Sequence, residues 1–290
     1  MTKILIICGP TATGKTDLAA KLAKKFNGEL ISADSRQVYK GMDIVTGKDK
    51  PVGVKIYGLD LVKPDEEFSV AHFVKSAATL INQIIQRRKL PIIVGGTGLY
   101  LNSLVKPPKT LAVKPDWQLR KELEKKTIKQ LQQQLKKINP DKWQLMNHSD
   151  QLNPRRLIRA IEVARFLQGP AFALQRTDLK FDTFWIGLMA DKSTLDQRIT
   201  ERVKSRVKAG AIAEWRELKA KYPATLPSMS GIGYRELPDI EAWIRAEQQY
   251  VRRQLTWFKK NKEIRWFDCE VDFELVYSYI CRKLKFPSGR

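Results

Sequence analysis

The chain has 290 residues, a hydrophobic fraction of 43% and a formal net charge of +22 at pH 7. That length suits one large α/β domain or a core carrying an insertion, and no apolar run approaches the roughly 18 residues of a membrane span. Cys8, Cys269 and Cys281 are dispersed, and His72 and His148 stand alone, which argues against a disulfide scaffold and a zinc site. So basic a surface attracts polyanions through phosphate neutralisation and counterion release, the alternative being a charge that serves only solubility. The N-terminus enters a strand without a charged leader, so a cytoplasmic protein is expected.

In chain order, residues 3–8 predict a strand buried on both faces, because they are continuously apolar. Gly9-Pro10-Thr11-Ala12-Thr13-Gly14-Lys15-Thr16 follows, and then a helical pattern over 15–26. Strand, G-x-x-x-x-G-K-[ST] and helix together are the context of a P-loop. Its backbone N–H groups cradle phosphate oxygens at a helix N-terminus, Lys15 adds a cation, and the Thr16 hydroxyl can reach a bound Mg²⁺. Residues 29–33 predict a second strand, running into Asp34-Ser35-Arg36-Gln37-Val38-Tyr39. Ligands of open α/β sheets bind at that edge. Asp34 there is a helix N-cap, a Mg²⁺ partner or a general base.

A further short strand is expected over 54–59, a helix from Ser69, and a buried strand over 91–94. Gly95-Gly96-Thr97-Gly98 then makes a second Gly-rich turn on the same sheet edge, either a plain tight turn or a close approach of Thr97 to a ligand. From 113 to 179 no strand pattern occurs; helical stretches near 116–138 and 154–167 are divided by Asn139-Pro140. Arg155, Arg156 and Arg159 cluster toward one end of the second, forming either a solvated basic face or one that tracks phosphates. A strand returns at 184–188, and a helix at 192–208 carries Arg198, Arg202 and Arg206 on one side. A Gly-containing turn at 230–236 precedes a long basic helix that interleaves Arg252, Arg253 and Lys259 with Tyr250 and Trp257. That composition suits phosphate contacts combined with base stacking. A last strand near 264–267 and a last helix over 272–284 complete the reading.

These motifs, in this order, resemble the tRNA dimethylallyltransferase (isopentenyltransferase) family over nearly the whole chain. The matching blocks are the P-loop, Asp34–Tyr39, Gly95–Tyr100, Arg155–Glu162, Gly231–Tyr234 and Arg253–Trp257. The resemblance implies a P-loop core over 1–112 and 181–290, with a mostly parallel sheet flanked by helices, and an all-helical tRNA-binding insertion over 113–180. It implies transfer of a dimethylallyl group from dimethylallyl diphosphate to the exocyclic amine of the adenine 3′-adjacent to the anticodon, with Mg²⁺ as cofactor and a monomer as the active form. Asp34 would then be the general base, and Thr97 a donor to the bridging oxygen. Gly9 to Thr16, with Lys15 and Arg202, would hold the diphosphate, and Thr16 the metal. The tRNA anticodon stem-loop would meet Asp34, Ser35, Arg36 and Gln37, the last on the flipped adenine. Further tRNA contacts would come from Arg155, Arg156, Leu157, Ile158 and Arg159; from Gly231, Gly233, Tyr234 and Arg235; and from Arg252, Arg253, Gln254, Thr256 and Trp257. Arg36 stands where the family usually has Met, and the zinc finger of many eukaryotic members is not seen. Three rivals use some of the same features: a nucleotide kinase, a prenyltransferase acting on free AMP, and a non-catalytic RNA-binding protein.

Overall fold

Isoleucine, leucine and valine on both faces make β1 (Lys3–Cys8) and β4 (Leu90–Gly95) the buried centre of a sheet. β2 (Gly28–Ser32), the two-residue β3 (Ile56–Tyr57), β5 (Asp182–Met189) and β6 (Ile264–Asp268) complete it in a computed structural model that describes residues 3–168 and 181–284. Among those residues the order is β3-β2-β4-β1-β5-β6, with every pairing parallel. The chain leaves β1 toward β2 on one side and later crosses to β5 on the other. β1 is therefore the switch point at whose carboxyl end a crevice opens. The α/β class expected from the sequence is the one observed.

One face of the sheet is covered by α1 (Lys15–Lys25) and α12 (Phe273–Leu284), whose Leu22, Val276 and Ile280 pack on Leu5, Ile7, Ile92 and Ile186. Elsewhere α2 (Val70–Gln86), started by a reciprocal Ser69–His72 capping box, packs with α3 (Gly98–Val105); Phe73 stacks on Tyr100 at 4.4 Å. A separate apolar cluster joins residues 38–45 to α9 (Lys192–Lys208), α10 (Ala211–Lys221) and α11 (Ile240–Phe258). The sequence reading contained no α10, although Ala211, Ile212, Trp215 and Leu218 recur at helical spacing. Its weak amphipathicity, next to Gly210, concealed it.

The chain divides into two units, Met1–Lys106 with Leu179–Arg290, and Pro107–Asp178. The first divide thus falls at Lys106 rather than at the expected 112, and the expected end at 180 lies outside the described residues. In the second unit α4 (Trp117–Glu124), α5 (Ile128–Ile138), α6 (Pro140–Gln144), α7 (His148–Gln151) and α8 (Pro154–Gln168) enclose Leu123, Leu131, Leu135, Leu157 and Ile161. The helical stretch expected over 116–138 breaks at Thr127, which caps α5 reciprocally with Gln130. Pro140, expected as a divider, also opens a helix at its first turn, where a missing N–H costs nothing.

Candidate active site

The crevice is walled by three loops that leave neighbouring strands. The P-loop follows β1, and Gly14, in the left-handed region at φ 71°, hands the chain to α1. Thr13 Oγ1 donates to Pro10 O at 2.9 Å, and Lys15 Nζ folds back on the same carbonyl. After β2 the Asp34 carboxylate accepts the Arg36 N–H at 2.8 Å, and a turn follows, not a helix. The N-cap reading of Asp34 is therefore excluded. After β4 Thr97 donates its N–H to Ala33 O at 3.2 Å, and its hydroxyl accepts the Ser35 N–H at 3.1 Å. The Asp34 and Thr97 loops are thereby stitched together.

Two cavities meet here. The first, of 260 Å³, is lined by the P-loop residues Thr11 to Thr16 apart from Thr13, by Asp34, Gln37, Gly95 and Gly96, and by Arg198 and Arg202 from α9. Arg202 donates to the Thr11 hydroxyl at 3.2 Å. Arg206, one turn on, is buried; it donates to Val45 O at 3.1 Å and lies 3.6 Å from Glu247. Both guanidinium groups cross over Gly47, where an added methyl would sit 1.8 Å from Arg206. Burial, then the Arg202 charge, lower the Lys15 ammonium to about 8, with Asp34 pulling the other way. The first cavity thus gathers the cations Lys15, Arg198 and Arg202, which suit a diphosphate, together with the acids Asp17, Asp34 and Asp49. The second, of 280 Å³, shares Thr11 and Asp34 with the first and is lined further by Ser35, Arg36, Arg206, Gly231, Tyr250 and Arg253.

Several residues expected to face RNA also make contacts within the protein. Tyr234 is buried, lines the second cavity and donates its hydroxyl to Glu214 Oε1 at 2.5 Å. Glu214, on α10, also accepts the N–H groups of Asp43, Ile44 and Val45 at 2.9, 2.6 and 3.0 Å. This carboxylate shapes the 43–45 loop, and its partners are too far away in sequence to signal it. Gln37 lines the first cavity, but its amide accepts from Ser32 Oγ at 3.0 Å and donates to Gly47 O at 2.9 Å. In this way it braces the loop over the cavity. Gln254 is buried between the P-loop and Gly96.

Leu157 and Ile158 are core residues of the helical unit, with no surface for RNA. Arg159 is engaged by Glu162 and by the carbonyls of Thr110 and Val113 at 3.0 and 2.9 Å. Arg156 pairs with Asp150, while Arg155 is exposed. On α11, Arg252, Arg253 and Thr256 are exposed, and Trp257 is 39% exposed against Gly98. Gly231 packs beside the Arg36 side chain, and Arg36 donates to Pro227 O at 2.6 Å. Gly233 lies against Val45 and Trp243, while Arg235 pairs with Glu236 at 2.7 Å. His72 serves as a cap, and no three-residue metal cluster occurs among the described residues. A divalent cation would have the Thr16 hydroxyl from the P-loop, with the carboxylates of Asp17, Asp34 and Asp49 in the same cavity.

A parallel sheet with a Gly-rich phosphate loop at its switch point, opening on two adjoining cavities, defines a P-loop protein built to act on a phosphorylated ligand. The IPP transferase family model matches residues 37–261, and that of isopentenyl transferase matches residues 2–66. The tRNA dimethylallyltransferase of Acetivibrio thermocellus is 38% identical over 92% of each chain, and that of Carboxydothermus hydrogenoformans 40% over 92% of each. The crystal structure of the tRNA isopentenylpyrophosphate transferase of Bacillus halodurans superposes with TM-score 0.73 at 35% identity, covering 98% of this chain and 97% of that one. A eukaryotic dimethylallyltransferase captured acting on tRNA gives TM-score 0.77 at 26% identity over 98% of this chain and 77% of that one. This chain belongs to the IPP transferase family, a family of prenyl-transferring enzymes.

Proposed function

We propose that the chain transfers a dimethylallyl group from dimethylallyl diphosphate to the exocyclic amine of the adenine 3′-adjacent to the anticodon in tRNA, releasing diphosphate. The observation that carries this reading is the pair of cavities sharing Thr11 and Asp34. The cavity holding the P-loop, Lys15 and Arg202 suits the diphosphate; the other, rimmed by Arg36 and Arg253, suits a nucleotide extruded from its stack. The shared wall is where carbon and nitrogen would meet.

In the reaction the amine nitrogen forms a bond to the first carbon of the prenyl group as the bond from that carbon to the bridging oxygen breaks. The proton lost by nitrogen passes to Asp34, and the electron pair leaves with diphosphate. Lys15, Arg202 and the P-loop amides stabilise the departing charge, and the Thr97 hydroxyl serves the bridging oxygen. Mg²⁺, held through Thr16, would supply further charge neutralisation to the diphosphate. The arginines on the outer face of α11, with Arg155 of the helical unit, are the candidate backbone contacts. Arg159, Leu157, Ile158, Tyr234, Gln37 and Gln254 are read as structural supports. A cytoplasmic monomer is part of the same proposal, and no helix among the described residues is long and apolar enough to cross a membrane.

The test is a transfer assay with radiolabelled dimethylallyl diphosphate, unmodified tRNA, free AMP and Mg²⁺. Label is expected in tRNA and lost by about 10²-fold or more in Asp34→Ala. Label entering AMP alone would favour the mononucleotide class. No label, together with ATP hydrolysis, would sink the proposal in favour of a kinase.

A further inference from the structure

Gln254 is 5% exposed and lies on α11, 243 residues from the P-loop it touches. Its Oε1 accepts the Thr11 N–H at 3.0 Å, and its Nε2 donates to Gly96 O at 3.0 Å. One carboxamide therefore joins the loop after β1 to the loop after β4. Gly96 permits the approach, because a methyl there would lie 2.3 Å from Gln254 Nε2. Thr11 is also the residue that Arg202 touches and that both cavities share.

The pattern on α11 extends the observation. Glu247, Tyr250, Gln254 and Trp257 recur at steps of three and four, which puts them on one stripe of the helix. Glu247 lies near Arg206, Tyr250 lines the second cavity, and Trp257 lies against Gly98. Gln254 is the member of this stripe that bonds both Gly-rich loops. The task needs one acceptor and one donor at the two ends of a short planar group, which a carboxamide supplies. A carboxylate would face the Gly96 carbonyl with a second acceptor. A thioether would leave a buried N–H and a buried C=O unpaired.

We infer that Gln254 is a positioning residue for prenyl transfer: its amide sets the distance between the diphosphate loop and the Thr97 turn, and so between the leaving group and the Thr97 hydroxyl. The inference rests on the proposed reading of the first cavity as the diphosphate site. A displacement of about 1 Å at such a place lowers the rate by about 10²-fold without requiring loss of substrate affinity.

The experiment compares full-length wild type, Gln254→Met, Gln254→Glu, Gln254→Ala, Gly96→Ala and the double variant Gln254→Ala/Gly96→Ala. Steady-state transfer is measured by varying tRNA and dimethylallyl diphosphate separately, with thermal melting alongside and inorganic pyrophosphate binding by calorimetry. Expected are a kcat lowered at least tenfold in Gln254→Met and Gln254→Glu, and KM for tRNA within twofold of wild type. Gly96→Ala should be more damaging in the wild-type background than on Gln254→Ala, where its clash is gone. A kcat within twofold of wild type in a folded Gln254→Met would overturn the inference, as would losses that merely follow the folded fraction. Pyrophosphate binding to wild type that Lys15→Ala abolishes keeps the site reading intact whatever Gln254 does. Binding indifferent to Lys15 would remove that reading, and the inference with it.

Discussion

Lys15 sits half-buried beneath the P-loop, and this burial, reinforced by Arg202, lowers its ammonium to about 8. A lysine that loses its proton near that value binds an anion progressively less well as pH rises through it. The affinity for inorganic pyrophosphate, followed by calorimetry from pH 6.5 to 9.5, should be flat at the low end and fall above about 8. Lys15→Arg, whose guanidinium stays protonated over that window, should lose the falling limb even if its overall affinity is lower. A limb unchanged in Lys15→Arg would assign the titration to another group. Arg206 shows the same physics in a structural setting. Burial, then the Arg202 charge, lower it to about 10, while Glu247 draws it back. It holds the loop over Gly47 and lines the second cavity.

At the scale of elements, the two arginine-bearing helices separate by what their guanidinium groups already touch. Arg252 and Arg253 on α11 have no acidic partner among the ion pairs of the described residues, and Arg253 lies 5.7 Å from the Tyr250 ring. Each substitution to Ala should weaken tRNA binding and reduce the slope of log affinity against log salt by about one. Arg159 on α8 instead serves Glu162, which also accepts from Arg120 at 2.8 and 2.9 Å and from the Asp116 N–H at 2.7 Å. Arg159→Ala should destabilise the helical unit by about 1 kcal/mol, since Arg120 still pairs with Glu162, and leave the salt slope unchanged. Melting and binding titrations on the same samples distinguish the two outcomes. Sequence reasoning had grouped these arginines together, because basic residues on a helix look alike until their partners are known. The P-loop, the β2 and β4 edge loops and α9 were legible, since each is a local pattern of glycines, apolar runs or four-residue steps. Glu214, Gln37 and Gln254 were not. Glu214 reaches 169 to 171 residues back, and Gln254 bridges two loops that the sheet order brings together. No periodicity records either pairing.

Over the whole molecule the net charge is +22, yet β2 carries a buried acid, Glu29. Glu29 on β2 accepts from Arg87 at 2.6 Å, Lys89 at 2.8 Å and Tyr57 at 3.0 Å. Burial alone would raise its carboxyl, but these bonds hold it near 2, below the ordinary 4.5. A depressed acid contributes stability that is present above its unfolded pKa and lost as pH falls toward the folded one. Between about pH 4.5 and 2 the wild type should therefore lose stability through this group, and Glu29→Gln should lose less over that window. At neutral pH the same variant should melt lower, because it leaves Arg87 and Lys89 without their partner. Denaturant titrations at pH 7 and pH 3.5 check both signs; equal acid sensitivity in the two proteins would refute the assignment.

The inner stripe of α11 has a bearing on how this chain can vary over evolutionary time. An α-helix behaves as a screw, and each residue added or removed turns everything beyond it by about 100°. A single-codon insertion between Tyr250 and Gln254 would leave the helix, its charge and its composition nearly intact. It would nonetheless swing Gln254 and Trp257 away from Gly96 and Gly98 while Glu247 stayed beside Arg206. Lineages of this enzyme should therefore accept many amino acids on the outer face of α11 and length changes in the loops around it, but hold its register between residues 247 and 257 fixed.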